Sequence, residues 1–485
     1  MTTMLHRLMI LLSFALAGSA ANAGDDGRLT GTPGMPSANT GLLALTPSGG
    51  LLLASGAGVG HETGVAANTL PIFLGLGYGY GPKAYSSAAL CLFRSAGSNT
   101  LDASFGKNGT TLTPLTPPDN RDYVGLTTLL LDRAGGSFAI GTRGKYYALD
   151  SSVDVLTATH HDATGALDVS FGDRGSLIAR VDDAGVPTGS AAALDDNGRL
   201  LIAGYNGGRR TKTRLGSFDN WSVRIALLRY TAKGRLDTSF GSGGIAVQEI
   251  QPEGGRRGKL TREFLREDYK AIGLLPDAGG PALLAAASAE GDTVNLMRFD
   301  ASGNLDRSFG NAGITRTPAD VIVSVLMRDR EGRLLVAGVG NARLVLLRYS
   351  AKGELDTSYG DGGKREIPLS LDRLRIATGM PLADGGFLLA ASGYQNVILA
   401  RLDSEGALDA RFGSGGLIDT ALGESVTGAN GLALDRNGDP VVGVYNQSGT
   451  VQSGVGLVHY GGGISAQTRY RSMDYWPSTT CGASK

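Results

Sequence analysis

Short apolar runs rich in Leu, Val, Ile and Ala recur along most of the chain, divided by clusters of Gly, Asp, Asn and Ser. Around residue 200 this pattern predicts four strands, at residues 191–194, 200–204, 223–230 and 245–250, because β-branched and apolar residues fit a pleated, half-buried surface. Between the first two lies Asp195-Asp196-Asn197-Gly198-Arg199, and Asn-Gly between apolar runs signals a tight hairpin whose turn needs positive φ. Asp329-Arg330-Glu331-Gly332-Arg333 reads the same way. Taking the turn glycines as Gly49, Gly135, Gly198, Gly279, Gly332, Gly385 and Gly438, the successive spacings are 86, 63, 81, 53, 53 and 53 residues. The unit is therefore about 53 residues long, with additions in the first three intervals.

A second phrase follows the third strand of a unit. It reads Leu101-Asp102-Ala103-Ser104-Phe105-Gly106 at its first occurrence and returns from Leu167, Leu236, Leu305, Leu355 and Leu408. Tyr359 replaces the phenylalanine once and Arg411 replaces the serine once. A basic residue stands at a fixed distance upstream: Arg94, His160, Arg229, Arg298, Arg348 and Arg401, with His459 in the same place in the last unit. Repetition of an acid in every unit suits a turn better than a catalytic centre. Asp102, Asp168, Asp237, Asp306, Asp356 and Asp409 are accordingly expected to bond amides of their own turns, with the basic residue alongside and the aromatic wedged between units.

Four short strands per unit of this length is the arithmetic of propeller blades. A solenoid is the alternative, but its exposed ends need caps that a closed ring does not. The expected fold is all-β: a seven-bladed β-propeller of four-stranded antiparallel blades spanning residues 24–463. The last unit has its third strand at residues 456–460 but lacks the Leu-Asp phrase. Residues 26–32 resemble a fourth strand such as residues 415–420, so closure by an N-terminal strand is expected. The tail, residues 464–485, either competes for that place or covers the first blade, where Cys481 could reach Cys91.

With Leu-Leu-Arg-Tyr ahead of it, the phrase Gly-x-Leu-Asp-x-Ser-Phe-Gly-x-Gly-Gly resembles the delta-60 repeat of exported bacterial proteins, and the strand order resembles NHL-type propellers. The resemblance runs from about Gly27 to Gly463 and implies a β-propeller. It implies no general activity. The missing phrase in the last unit, the Tyr359 and Arg411 exchanges and the long insertions depart from the pattern.

At the N-terminus, His6 and Arg7 precede the apolar run 8–17, and Ala21-Asn22-Ala23 fits a signal-peptidase site, so residues 1–23 read as a signal peptide and the mature chain as periplasmic or secreted. The apolar run is shorter than the roughly 20 residues a spanning helix needs, and no membrane span is expected. Lys plus Arg and Asp plus Glu both number 45, and without a basic excess a nucleic-acid partner is disfavoured. Cys91 and Cys481 are the only cysteines; they either form a disulfide or remain a buried thiol and a tail thiol.

The additions fall at residues 58–87, 141–152, 206–221 and 251–268. In an antiparallel blade these connections share one face, while the hairpins and Leu-Asp phrases occupy the other. Long loops on one face of a rigid scaffold are usual places for binding. Candidate ligand-binding residues are Tyr78 and Tyr80 in the first addition, and Arg209, Arg210, Arg214 and Trp221 in the third, with a protein or an anionic surface polymer as partner. An enzyme reading places calcium at the axial mouth, held by Asp122, Asp268, Asp320 and Glu424, for lactonase- or lyase-like chemistry. Their unequal offsets from the turn glycines weaken it. No cofactor is implied otherwise, and no nucleophile triad or phosphate loop is present at recognisable spacing. His160-His161 occupy the Arg-Tyr places of the repeat, which favours a structural role over metal binding.

Overall fold

The computed structural model describes residues 43–46, 51–60, 85–97, 100–114, 122–147, 150–179, 188–212, 218–250, 270–276, 282–287, 293–340, 343–368, 375–393, 395–423, 428–446, 454–465 and 467–477. Its strands form antiparallel sheets, in chain order except that Thr110–Pro114 of the N-terminal sheet pairs with Tyr85–Gly97. Six are four-stranded blades, here lettered A (residues 122–179), B (188–250), C (270–318), D (322–368), E (375–421) and F (428–477). Blade B shows how local sequence sets the pattern: its strands are Thr188–Leu194, Leu200–Lys212, Phe218–Tyr230 and Ile245–Ile250, and Asp195 Oδ1 accepts the Asn197 and Arg199 amides to fix the predicted hairpin.

Two expectations are corrected. Seven four-stranded blades were expected and six are found, because residues 43–114 form a sheet of five strands. Its extra strand, Thr100–Leu101, pairs Leu101 with Ser95; in blades A to E the equivalent leucine makes only an isolated bridge, as Leu236 does to Tyr230. The N-terminal sheet differs by the growth of that bridge. Second, the fourth place in blade F was assigned to residues 26–32, which lie outside the described residues. Arg469–Pro477 fills it, antiparallel to Gly454–Gly461, so part of the expected tail is a strand of the ring.

The core lies between sheets rather than inside any one of them. One buried cluster joins blades C, D and E through Leu296, Phe309, Val325, Val345 and Leu389; others join A to B, B to C and E to F. The ring closes where Leu43, Leu92 and Phe93 of the N-terminal sheet share a cluster with Val441, Leu457 and Trp476 of blade F. A Cβ at Gly431 would press on Leu43, so the inner strands of the two ends touch backbone to side chain. Each blade's first strand slips register once, between Leu126 and Thr128 in A, Gly189 and Ala191 in B, and at matching places in C to F. Such a bulge bends and twists the strand it interrupts, here always at the inner strand of the blade.

Candidate binding face and the inter-blade clasps

The repeated phrase is a clasp. In blade B, Asp237 Oδ1 accepts the Ser239 amide at 3.1 Å and its hydroxyl at 2.6 Å, while Oδ2 accepts Arg229 Nε at 2.8 Å. Arg229 also donates to Ser239 Oγ at 3.0 Å and reaches into blade C to donate to the Ala301 carbonyl at 2.7 Å. Its guanidinium lies 4.5 Å from the centre of the buried Phe240 ring, a cation–π arrangement. Arg94 and Arg298 repeat the set with Asp102 and Asp306, and Arg348 pairs with Asp356 but bonds Glu405 in addition, each donating to a carbonyl of the next sheet (Ala163, Ala351 and Ser404). The Ser104, Ser308 and Ser358 hydroxyl bonds are the largest influence holding these three carboxyls below the usual carboxylate range, against the opposing effect of burial. Where Arg411 replaces the serine, its own hydrogen bond leads in drawing Asp409 down to about 2. The acids thus bond their own turns, as the repeat analysis anticipated, and orient the arginines that reach the next sheet, which it did not.

The histidines adapt the same device. His160 lies between Asp168 Oδ2 and Asp132 Oδ2, 2.9 Å from each, and stacks on Phe138 at 4.2 Å. His161 Nε2 meets Thr113 Oγ1 of the N-terminal sheet at 2.7 Å, while its Nδ1 is buried without a partner. Burial first, then the neighbouring His160 charge, pushes His161 down to about 4. Elsewhere a tyrosine makes this contact between sheets: Tyr349 with Thr317, and Tyr460 with Thr420. In blade F, which lacks the phrase, His459 pairs at 3.0 Å with the buried Asp474 of the last strand. Asp474 and Trp476 are structural residues that repeat reasoning missed, since nothing else in the sequence resembles the segment carrying them.

On the opposite face, the described parts of the additions at 141–152 and 206–221 prolong strands. Strands 137–147 and 150–161 of blade A, and 200–212 and 218–230 of blade B, continue as ladders beyond the usual blade length. In blade B, Arg209 stands opposite Ser222, Arg210 opposite Trp221 and Lys212 opposite Phe218. In blade A, Arg143 is opposite Val155, and Lys145 pairs with Ser152 on one side and Asp122 on the other. The structure therefore brings Arg209, Arg210 and Trp221 onto one hairpin. Tyr78, Tyr80, Arg214, Asp268, Glu424 and Cys481 lie outside the described residues. Of the four acids considered for calcium, Asp122 begins the first strand of blade A and Asp320 is exposed just ahead of that of blade D. No cluster of three or more His, Cys, Asp or Glu that could hold a metal occurs among the described residues, and no helix there is long and apolar enough to cross a membrane.

Residues 215–240, the third strand of blade B and its phrase, match a family profile described as a domain of unknown function (DUF5122) beta-propeller. The match and the sheet topology agree on a β-propeller. No curated protein matches the chain. Among solved structures, it is similar to a protein from Lactobacillus plantarum at 14% identity and a TM-score of 0.47, over 79% of this chain and 91% of that one. A calcium-binding protein, regucalcin, from Agrobacterium tumefaciens aligns at 12% identity and a TM-score of 0.35, over 67% and 83% of the two chains. A glucose dehydrogenase aligns at 13% and 0.36, over 76% and 95%.

Proposed function

We propose that this protein is an exported binding scaffold that engages an anionic surface polymer through the prolonged hairpins of blades A and B. The observation that carries the reading is the register of those hairpins, which sets Arg143, Lys145, Arg209, Arg210 and Lys212 on two adjacent blades of a chain with no net charge. Trp221 and Phe218 sit opposite two of these cations on the ladder. Guanidinium groups suit carboxylate and phosphate because their planar forks bond both oxygens at once. Export is supported by Ala21-Asn22-Ala23 and by the disulfide-bonded state of Cys91, which suits an oxidising compartment. The likeness of the phrase to the delta-60 repeat of exported proteins points the same way.

The test replaces Arg209, Arg210 and Arg214 together with glutamine and measures retention on an anionic cell-wall polysaccharide. Retention of the wild type should fall as salt rises, because exposed charges are screened over about 8 Å at physiological ionic strength. The triple variant should bind at least ~10-fold more weakly, about 1.4 kcal/mol in binding free energy. Unchanged retention refutes the proposal. A stoichiometric calcium ion found on elemental analysis of the purified protein would replace it with the metal-dependent reading at the axial mouth.

A further inference from the structure

We infer that the polymer engaged by the prolonged hairpins is a polyuronate, whose carboxylates meet the cations and whose sugar rings meet the aromatics; this rests on the binding reading above. The register of the ladders carries it. Residues directly opposed in an antiparallel ladder lie on one face of the sheet, and so do residues two apart along an unbroken strand. In blade B, Arg210 stands opposite Trp221 and Lys212 opposite Phe218. The inner strand's pairing stops at Tyr205 and the outer strand's at Val223, so among the described residues this part of the ladder is two strands wide. In blade A, Lys145, Tyr146 and Tyr147 pair in unbroken register with Ser152, Ser151 and Asp150, so Lys145 and Tyr147 share a face. At three places, therefore, a cation and an aromatic occupy neighbouring positions on one face of a hairpin. Asp122 and Asp150 stand opposite Lys145 and Tyr147, which concentrates the charge available to an anion on blade B.

A cation alone answers any anionic polymer; the aromatic beside it discriminates. A pyranose ring presents a face of C–H bonds, and stacking that face on an indole or phenyl ring removes apolar surface from water. A uronic acid places a carboxylate at the edge of the same ring, where a guanidinium fork binds it through both oxygens. Polyphosphate and glycerol-phosphate chains supply charge with no ring to cover the aromatics. Single-stranded nucleic acid combines phosphates with stacking bases, but the proteins that hold it track its backbone with a basic groove, and this chain has equal numbers of basic and acidic residues.

Trp221 is one of two tryptophans, and the other, Trp476, is 5% exposed, so indole emission that responds to a bound sugar reports the blade B hairpin. The full-length protein should bind a galacturonate oligomer at least ~10-fold more tightly than inorganic polyphosphate of equal charge or a single-stranded oligothymidylate, with a change in that emission. Trp221→Ala should weaken the galacturonate oligomer at least ~10-fold more than it weakens polyphosphate. Methyl esterification of the oligomer should abolish its binding to the wild type. Polyphosphate bound as tightly as the oligomer, an ester bound as well as the acid, or equal losses in Trp221→Ala overturns the uronate assignment and leaves the hairpin reading standing. Tighter binding of the oligothymidylate overturns it in favour of nucleic acid. Binding of none of these polymers overturns the hairpin reading itself, and this inference with it. Should Trp221→Ala fail to fold, the wild-type comparison of the three polymers and the ester still decides.

Discussion

The wedge residue of each phrase carries more stability than its neighbours. Phe240 is completely buried between blades B and C beneath Arg229, whereas Val169, at a variable place in the blade A phrase, is 70% exposed. Phe240→Ala should cost about 3–5 kcal/mol, as truncation of a well-packed buried aromatic does, and Val169→Ser should stay within about 0.5 kcal/mol. Urea unfolding of both variants checks the contrast. His161 gives a pH dependence with a fixed sign. Its folded-state value of about 4 lies below the ordinary 6.5, so the unfolded chain takes up a proton that the folded one refuses. Stability from this group is complete above about pH 6.5 and is lost as pH falls towards 4. His161→Tyr should remove that component and restore the tyrosine-to-threonine contact made by Tyr349 and Thr317. A pH series of melting temperatures on the two proteins reads this directly; an unchanged slope counts against it.

Among elements, two kinds of turn with similar backbone demands carry different loads. Gly198 in the blade B hairpin and Gly234 in the turn after its third strand have φ of 71° and 72°. A Cβ on Gly198 meets nothing within 4 Å, while one on Gly234 would sit 2.7 Å from the Gly172 amide nitrogen of blade A and 2.9 Å from the Phe171 ring. Gly198→Ala should cost about 1 kcal/mol from backbone strain alone. Gly234→Ala should cost about 2–4 kcal/mol, because the strain is joined by overpacking against the neighbouring blade. Denaturant midpoints of the two variants distinguish these outcomes. The spacing of Gly198 within Asn-Gly announced the hairpin, but the second glycine's burden comes from another blade some sixty residues away, which no local pattern encodes. The same limit hid the bulge in the inner strands of blades A to F, since the skipped residues Thr127, Ser190, Ile272, Ser324, Ala377 and Asn430 share no side-chain type.

For the whole molecule, the consequence of ring closure is cooperativity. Each sheet buries its faces only against its two neighbours, so an open array would unfold in steps, as stacked repeats do when nearest-neighbour terms govern stability. Joining blade F to the N-terminal sheet through Leu43, Val455 and Trp476 removes the free ends. Deleting residues 469–485 should convert one calorimetric transition into two or more and lower the first of them; a single unshifted transition would show that closure does not depend on the final strand.

The sequence by itself determined the all-β class, the number and order of the strands of blade B, the Asp-turn and wedge roles of the phrase, and the side of the ring where chain length accumulates. These are legible because each rests on contacts within one repeat, and repetition displays them several times. Tertiary structure alone decided which segment occupies the fourth place of blade F. It also turned two of the additions into prolonged ladders, placing Arg209 and Arg210 on one hairpin. The physical reason is that ends and insertions occur once, and their partners are chosen by packing between segments hundreds of residues apart. The strand motif of residues 26–32 and the unpatterned Arg469–Pro477 could not be ranked until Trp476 and Asp474 were seen to be buried.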